Sequence, residues 1–274
     1  MTINSLNPSD VPLRSGRPTK EELLVHYPAK FTWTQLKTFI NSGDLGLLKR
    51  DKKLQARYRE YNQTIKAKYG SISNYLIFYR LQWGKPDTLS FMSPHYIPNP
   101  KSHEPGDPLK SEPPPLPPDA PKYFTANISQ EFISIIYNDW PYSVPREVEH
   151  SLIWSRVPFF HSDVVPERIR ERVAFYGLWG FTGIVEPPLP PSDLPFCMEA
   201  LSEWGLTLDK LKIPPKCTSE EEILLEELGK EVNLFIKRKW SEEEWETAWF
   251  VNPPRLQSVP ELSHIHVFAR RKSY

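Results

Sequence analysis

The chain has 274 residues, and its 34 lysines and arginines balance 34 aspartates and glutamates to give a formal net charge of zero. Such a balance argues against a broad basic surface, so we expect neither nucleic acid nor an acidic membrane as a partner. Two cysteines are too few for a disulfide framework, and neither a signal-peptide core nor an apolar run of about 18 residues is visible. These features predict a soluble, cytoplasmic protein.

The first part of the chain divides into three segments by composition. Residues 1–18 are polar and contain three prolines, which is typical of a flexible arm. Residues 19–93 have apolar side chains at helical spacing among charged ones, so we expect a helical subdomain. Prolines crowd residues 94–121, where the missing N–H donor and fixed φ predict an extended loop. The alternative for this loop is a ligand for a proline-binding module.

Residues 122–274 change pattern and contain short strand-like runs between turn residues. The clearest helix signal is "TSEEEILLEELGKEVNLFIKRKW", which has a capping residue, acids in its first turn and basic residues in its last. We therefore predict an α+β core here and an α+β protein overall. Its helical N-terminal half packs on an antiparallel sheet, and the two parts form one domain.

The last strand-like segment, "SHIHVFARR", contains two histidines one residue apart. Because side chains alternate faces along a strand, His264 and His266 share one face, while Ile265 and Val267 share the other. The apolar face is expected to pack on a helix layer, with the histidines facing a groove. Two imidazoles about 7 Å apart can ligate a metal, bind phosphate or supply a nucleophile. The alternative is a polar pair on the wet face of an edge strand.

Residues upstream could complete such a site. The segments "NDWPYSVPREVEH" and "WFVNPPRLQSVPEL" supply amide, hydroxyl, carboxylate, indole and imidazole groups, and amides and hydroxyls are natural donors to phosphate oxygens. Asp139 has an alternative role as a turn cap, and Trp140 could stack on a sugar or a base. The candidate substrate-binding residues are Asn138, Asp139, Trp140, His150, Asn252 and Ser258.

Three segments in this order, "YRLQW", "NDWPYSVPREVEHSLIWSR" and "WFVNPPRLQSVPELSHIHVF", resemble the fungal N-acetylglucosamine-induced protein family. The similarity runs from about Phe31 to Phe268 and is interrupted by the Pro-rich loops. That family favours an acidic residue before the final histidine pair, where this chain has Ser263. The resemblance implies a cytoplasmic protein and no particular chemistry.

The same segments are more weakly similar to the histidine-triad nucleotide hydrolases and transferases, whose final strand reads HxHxH. This resemblance implies a histidine-triad-like form of the α+β fold and names His266 as the nucleophile that attacks phosphorus. It makes His264 the phosphate-side neighbour, with Asn252 and Ser258 as ligands of the phosphate oxygens. Phe268 stands where the third histidine is expected.

Three functional hypotheses follow. The first is a hydrolase or transferase of nucleotide or nucleotide-sugar phosphates that uses a histidine nucleophile, a small-molecule phosphate or sugar ligand and no cofactor. The second is a transition-metal enzyme with His150, His264 and His266 as ligands. The third is a sugar- or nucleotide-binding protein without catalysis. The sequence leaves the substrate and the oligomeric state open.

Overall fold

The computed structural model describes residues 7–98, 115–160, 163–257, 259 and 262–273. Residues 1–6 of the expected arm, much of the expected Pro-rich loop at 94–121, and Ser258 therefore lie outside the described residues.

The helical N-terminal part covers one face of a sheet. Its helices are α1 (Lys20–His26), α2 (Trp33–Asn41), α3 (Lys52–Tyr69) and α4 (Ile72–Tyr75), and a π-helical turn (Leu76–Arg80) follows α4 directly. Thr19 and Thr32 start α1 and α2 with capping boxes, in which the threonine oxygen accepts a backbone N–H three residues on and that residue's side chain accepts the threonine N–H. Each box satisfies two donors that a helix start leaves unpaired, so the local sequence fixes where these helices begin.

Five strands form one antiparallel sheet. The strands are β1 (Ile133–Tyr137), β2 (Val148–Ser155), β3 (Leu178–Thr182), β4 (Trp245–Val251) and β5 (Ser263–Arg271), in the spatial order β1-β2-β5-β4-β3. The strand with the two histidines is therefore the central strand, so the alternative of a wet edge strand is wrong. The α+β class with an antiparallel sheet is confirmed.

Two further α-helices lie in the second half of the chain. These are α5 (Glu167–Tyr176) and α6 (Ser219–Lys239), and a capping box at Thr218 starts α6 as its sequence predicts. The remaining helical turns are of the 3-10 type: Pro8–Asp10, Leu45–Leu47, Gln130–Phe132, Pro191–Trp204, Leu208–Lys210 and Pro254–Leu256. None of the helices within the described ranges is both long and apolar enough to cross a bilayer.

The apolar face of β5 packs on α6. Ile265 and Val267 are fully buried in one cluster with Trp249 of β4 and with Val232 and Ile236 of α6. The expected packing of this face on a helix layer is thus confirmed.

The opposite face of the sheet is covered by the N-terminal helices. Leu36 and Phe39 of α2 share a buried cluster with Phe250 and Phe268, and the π-helical turn packs near Trp154. Since β5 presents its histidines to this same face, they lie between the sheet and the helical layer.

Truncation of Ile265 tests the assignment of β5 as the centre of the core. We expect Ile265→Ala to lower the free energy of unfolding by about 2–5 kcal/mol, because it leaves a cavity where the side chain was fully buried. The matched control is Ile223→Ala on α6, where the side chain is 65% exposed and a change within about 0.5 kcal/mol is expected. Equal losses in urea unfolding of the two variants would contradict the assignment.

Candidate active site

Three buried imidazoles form the centre of the candidate site. His150, His264 and His266 are 5%, 6% and 4% exposed. In the pairing of β2 with β5, His150 lies opposite Phe268 and Leu152 lies opposite His266. Paired residues point to the same face of a sheet, so His150 and His266 both face the N-terminal helices. His150 Nε2 and His266 Nδ1 are 3.1 Å apart, within hydrogen-bond distance.

The amide of Asn252 meets the other side of His266. Asn252 directly follows β4, and its side-chain amide nitrogen lies 3.3 Å from His266 Nε2. The side chain of Gln257 donates to the Asn252 carbonyl at 3.0 Å and so holds the loop between β4 and β5. The structure thus joins His150, His266 and Asn252 in one polar chain.

The turn after β1 closes over His150. The Asn138 side-chain oxygen accepts the backbone N–H of Trp140 at 2.9 Å, and its NH₂ group lies 3.4 Å from His150 Nδ1 and 3.3 Å from Nε2. The backbone N–H of Tyr142 donates to the same ring nitrogen at 3.3 Å. Asn138, expected as a substrate-binding residue, therefore also orients an imidazole.

Burial keeps these rings uncharged near neutral pH. It lowers the pKa of His150 and of His266 well below the ordinary histidine value, and the nearby Arg50 charge lowers both further. Burial also lowers the pKa of His264 to about 4. A neutral imidazole keeps a lone pair on one ring nitrogen, which nucleophilic or base chemistry requires.

A cavity of about 90 Å³ lies between the sheet and the helical layer. Its polar lining combines imidazole, amide, phenol, guanidinium and carboxylate groups. The residues that contribute these groups are Arg17, Arg50, Tyr58, Tyr61, Asn62, Tyr75, Arg80, Asn138, Asp139, His264 and His266. Both candidate catalytic histidines therefore share a small polar cavity.

Arg50 brings a positive charge to this cavity. Its guanidinium donates to the Trp140 carbonyl at 2.7 Å and to Gln55 at 3.1 Å, and it lies over the Tyr58 ring at 4.5 Å. Within the described residues no carboxylate pairs with Arg50. A half-buried guanidinium without a carboxylate partner favours an anionic ligand.

Asp139 is an ion-pair partner in this structure. Its carboxylate lies 2.9 Å from Arg80 and 3.2 Å from Arg17, and Arg80 also holds Asp87 through two hydrogen bonds. Burial raises the pKa of Asp139, but the two arginines outweigh that effect and hold it below its ordinary value. The turn is capped by Asn138 rather than by Asp139.

Arg17 belongs to the segment expected to be a flexible arm. Its side chain donates to the Leu89 carbonyl at 2.9 Å in addition to Asp139, and Arg57 holds the preceding backbone through the Gly16 carbonyl at 2.7 Å. Arg17, Arg50 and Arg80 were not among the sequence-based candidates. Their local sequence carries no signal, because each is brought to the cavity by packing between distant segments.

Two tryptophans line the cavity in different ways. Trp140 is 7% exposed and its ring packs against Tyr58 and Tyr61, at centroid distances of 5.3 and 5.2 Å. Trp154 of β2 stacks on His264, with centroids 4.2 Å apart and planes at 24°. Trp140 therefore shapes the wall of the cavity, and Trp154 supports one of the two candidate catalytic rings.

A larger groove adjoins the cavity. It has a volume of about 730 Å³ and lies between α1, the turn after β1 and residues 91–94. Asn138 lines both spaces, while His150 and Tyr142 line the groove. A ligand with an anionic end could place that end in the cavity and the rest in the groove.

The hypothesis of a three-histidine metal site gains no support from this geometry. Within the described ranges no group of three or more histidine, cysteine, aspartate or glutamate residues is arranged to hold a metal ion. His150 and His266 instead face each other as hydrogen-bond partners.

Comparisons with known proteins agree with the first resemblance seen in the sequence. The family described as "Protein of unknown function (DUF3605)" matches residues 32–174 and 206–270, which is most of the chain. N-acetylglucosamine-induced protein 1 of Candida albicans is 23% identical over 250 residues, which cover 88% of this chain and 68% of the relative. The crystal structure of HTC1 matches 88% of this chain and 85% of its own at 22% identity, with a TM-score of 0.41.

The buried neutral histidines predict a loss of stability in mild acid. Unfolded His264 takes up a proton near pH 6.5, whereas the folded ring does so at about 4. The unfolded state therefore binds more protons within this window, and the free energy of unfolding falls as the pH decreases. Between pH 6.5 and 5 this single group contributes a loss of about 2 kcal/mol.

Urea unfolding at a series of pH values measures this loss. His264→Gln should show a shallower decline than the wild type, whereas His95→Gln, at an exposed position, should match the wild type. The slopes are compared rather than the absolute stabilities, since the variant also changes packing against Trp154. An unchanged slope in His264→Gln would contradict a neutral buried ring.

Proposed function

We propose that this chain, which belongs to the DUF3605 family, hydrolyses or transfers a phosphate group of a nucleotide or nucleotide sugar. The phosphate would occupy the cavity beside His264 and His266, and one of these two rings would be the nucleophile. The observation that carries the proposal is that two neutral imidazoles and the Arg50 guanidinium, which has no carboxylate partner among the described residues, line one small cavity. Imidazole, amide and guanidinium groups are the groups that phosphate chemistry uses.

The charges around the cavity support an anionic ligand. Arg80 and Arg17 are offset by Asp139 and Asp87, which leaves the Arg50 charge uncompensated among these groups. Arg50 is half-buried, so water screens its charge only in part, and this uncompensated cation attracts an anion more strongly than a fully exposed one would. A phosphate group would supply the missing negative charge.

The reaction would proceed through a covalent intermediate. A neutral ring nitrogen would attack phosphorus, and the donors of the cavity would stabilise the charge that develops on the phosphate oxygens. Arg50 lies in the wall of the cavity and is a candidate for this stabilisation, whereas Asn252 contacts His266 and does not line the cavity. These residues need no metal ion for that step.

The groove is suited to the rest of such a ligand. Its wall has apolar surface, such as Leu23, and balanced charges: the basic residues are Lys20, Arg146 and Arg271, and the acidic residues are Asp51, Glu147 and Glu149. A sugar or a base, which is uncharged and has both polar and apolar surface, suits such a wall. The name of the Candida albicans relative refers to N-acetylglucosamine, which makes amino-sugar nucleotides a reasonable first panel.

A binding protein without catalysis is the second candidate. The stacking of Trp154 on His264 favours it, since this contact fills one side of the ring with a rigid apolar surface. The two candidates differ in turnover, and they share the same anion-binding cavity.

Inorganic phosphate tests the cavity as an anion site. We expect phosphate to raise the melting temperature of the wild type, because a ligand that binds only the folded state stabilises it. Arg50→Met should weaken phosphate binding roughly 10- to 100-fold, since a hydrogen bond to a charged group is worth about 1.5–3 kcal/mol. Isothermal titration of both proteins with phosphate measures the difference.

The control for this experiment is Arg59→Met, an exposed position on helix α3, which begins two residues after Arg50, and this variant should bind phosphate like the wild type. Arg50→Lys keeps the charge and separates its loss from a loss of packing. Equal phosphate affinity in the wild type and Arg50→Met would contradict the proposed site. Phosphate binding without turnover of any nucleotide or nucleotide sugar would favour the binding protein.

A further inference from the structure

The backbone fixes which nitrogen of His150 carries the proton. The Tyr142 N–H can only donate, so His150 Nδ1, which lies 3.3 Å from it, must accept. In a neutral ring the proton then sits on Nε2. This nitrogen faces His266 Nδ1 at 3.1 Å and donates to it.

The same logic passes on to His266. Its Nδ1 accepts from His150, so its own proton sits on Nε2, 3.3 Å from the Asn252 amide. The structure places the amide nitrogen of Asn252 at this contact. The two ends of a carboxamide exchange places by rotation of the side-chain amide, so a protonated Nε2 selects the rotated amide, whose oxygen accepts. Both nitrogens of His266 are therefore engaged, and its lone pair is used inside the polar chain.

His264 has the opposite tautomer. Its Nδ1 lies 3.2 Å from the backbone carbonyl of Leu262, and a carbonyl can only accept. The proton therefore sits on Nδ1, and Nε2 carries the lone pair. No residue in the described part of the chain hydrogen bonds to His264 Nε2.

The surroundings of His264 match a reacting group. The ring lines the cavity, and Trp154, whose indole stacks on it, also lines the cavity. Trp154 is 4% exposed, and its N–H has no hydrogen-bond partner within the described ranges. A buried donor that is left unpaired costs free energy, which a ligand oxygen would recover.

We infer that Nε2 of His264, rather than any atom of His266, is the nucleophile of this site, and that its substrate is a phosphoanhydride. This assignment rests on the proposed function. The Nε2 lone pair forms the N–P bond, and the bond from phosphorus to the bridging oxygen breaks. The leaving group takes that electron pair and departs as a phosphate anion. Water or an acceptor hydroxyl then attacks phosphorus and loses its proton to solvent, and the N–P electron pair returns to Nε2.

The choice of a phosphoanhydride follows from the hydrogen bonds that hold the N–H protons of the two rings. The Nδ1 proton of His264 is committed to the Leu262 carbonyl, and the Nε2 proton of His266 is committed to Asn252. A phosphate anion departs without being protonated, whereas an alkoxide needs a proton donor. Nucleoside diphosphate sugars and dinucleoside polyphosphates both contain a bond of this kind.

The tautomers can be measured without any substrate. Long-range proton–nitrogen NMR of the full chain labelled with ¹⁵N-histidine distinguishes a protonated ring nitrogen from a bare one. We expect a bare Nε2 and a protonated Nδ1 in His264, and the reverse in His266, assigned by loss of signals in His264→Gln and His266→Gln. The same tautomer in both rings, or a bare Nε2 in His266, would overturn the inference.

Phosphoramidate, a small reagent that phosphorylates histidine side chains, tests the nucleophile directly. Treatment of the wild type, followed by peptide mapping with tandem mass spectrometry, should place the phosphoryl group on His264 and leave His266 unlabelled. Exposed His95 reports the general reactivity of the reagent. Label on His266 at the level of His264 or above, or label on His95 with none on His264, would overturn the inference.

The outcomes for the inference and for the proposed function are separable. Opposite tautomers and labelled His264 without turnover of any nucleotide or nucleotide sugar would reject the proposed function and leave the identity of the nucleophilic nitrogen standing. Turnover of a nucleotide sugar together with a covalent adduct on His266 would support the proposed function and reject His264 as the nucleophile. Turnover with an adduct on His264 would support both.

Discussion

The site depends on the burial of three imidazoles in their uncharged form. A polar ring loses its hydration when it leaves water, so it must find partners inside the protein. Here the partners are backbone groups with a fixed direction: the Tyr142 N–H for His150 and the Leu262 carbonyl for His264. Because these groups belong to the turn after β1 and to the start of β5, the sheet itself sets the protonation pattern of the cluster.

The helical layer and the sheet contribute different chemistry to the same cavity. The sheet and its turns supply imidazoles and amides, whereas Arg17, Arg50 and Arg80 come from the N-terminal part. Asp139 on the sheet side pairs with two of these arginines, which ties the layers together by charge as well as by apolar contact. Neither layer alone would contain all the groups that line this cavity.

Local patterns in the sequence predict the elements well. The alternation in β5 places Ile265 and Val267 on α6, and the capping box places the start of α6. The meeting of His150 with His266 joins residues 116 positions apart, and that of Arg17 with Asp139 joins residues 122 apart. Such contacts depend on strand register and on packing between layers, which no local pattern encodes. The sequence therefore suggested the histidines and Asn252 but missed all three arginines.

The position of β5 in the sheet also couples folding to assembly of the cluster. In the order β1-β2-β5-β4-β3, this strand joins a β1–β2 hairpin to a β3–β4 pair. The two halves become one sheet when the strand inserts between them, and the insertion itself brings His264 and His266 beside β2. Long-range pairing of this kind is a slow, late event in folding. A half-assembled sheet would therefore hold His150 without its partner His266, so the contact between the two rings forms only when the sheet is complete.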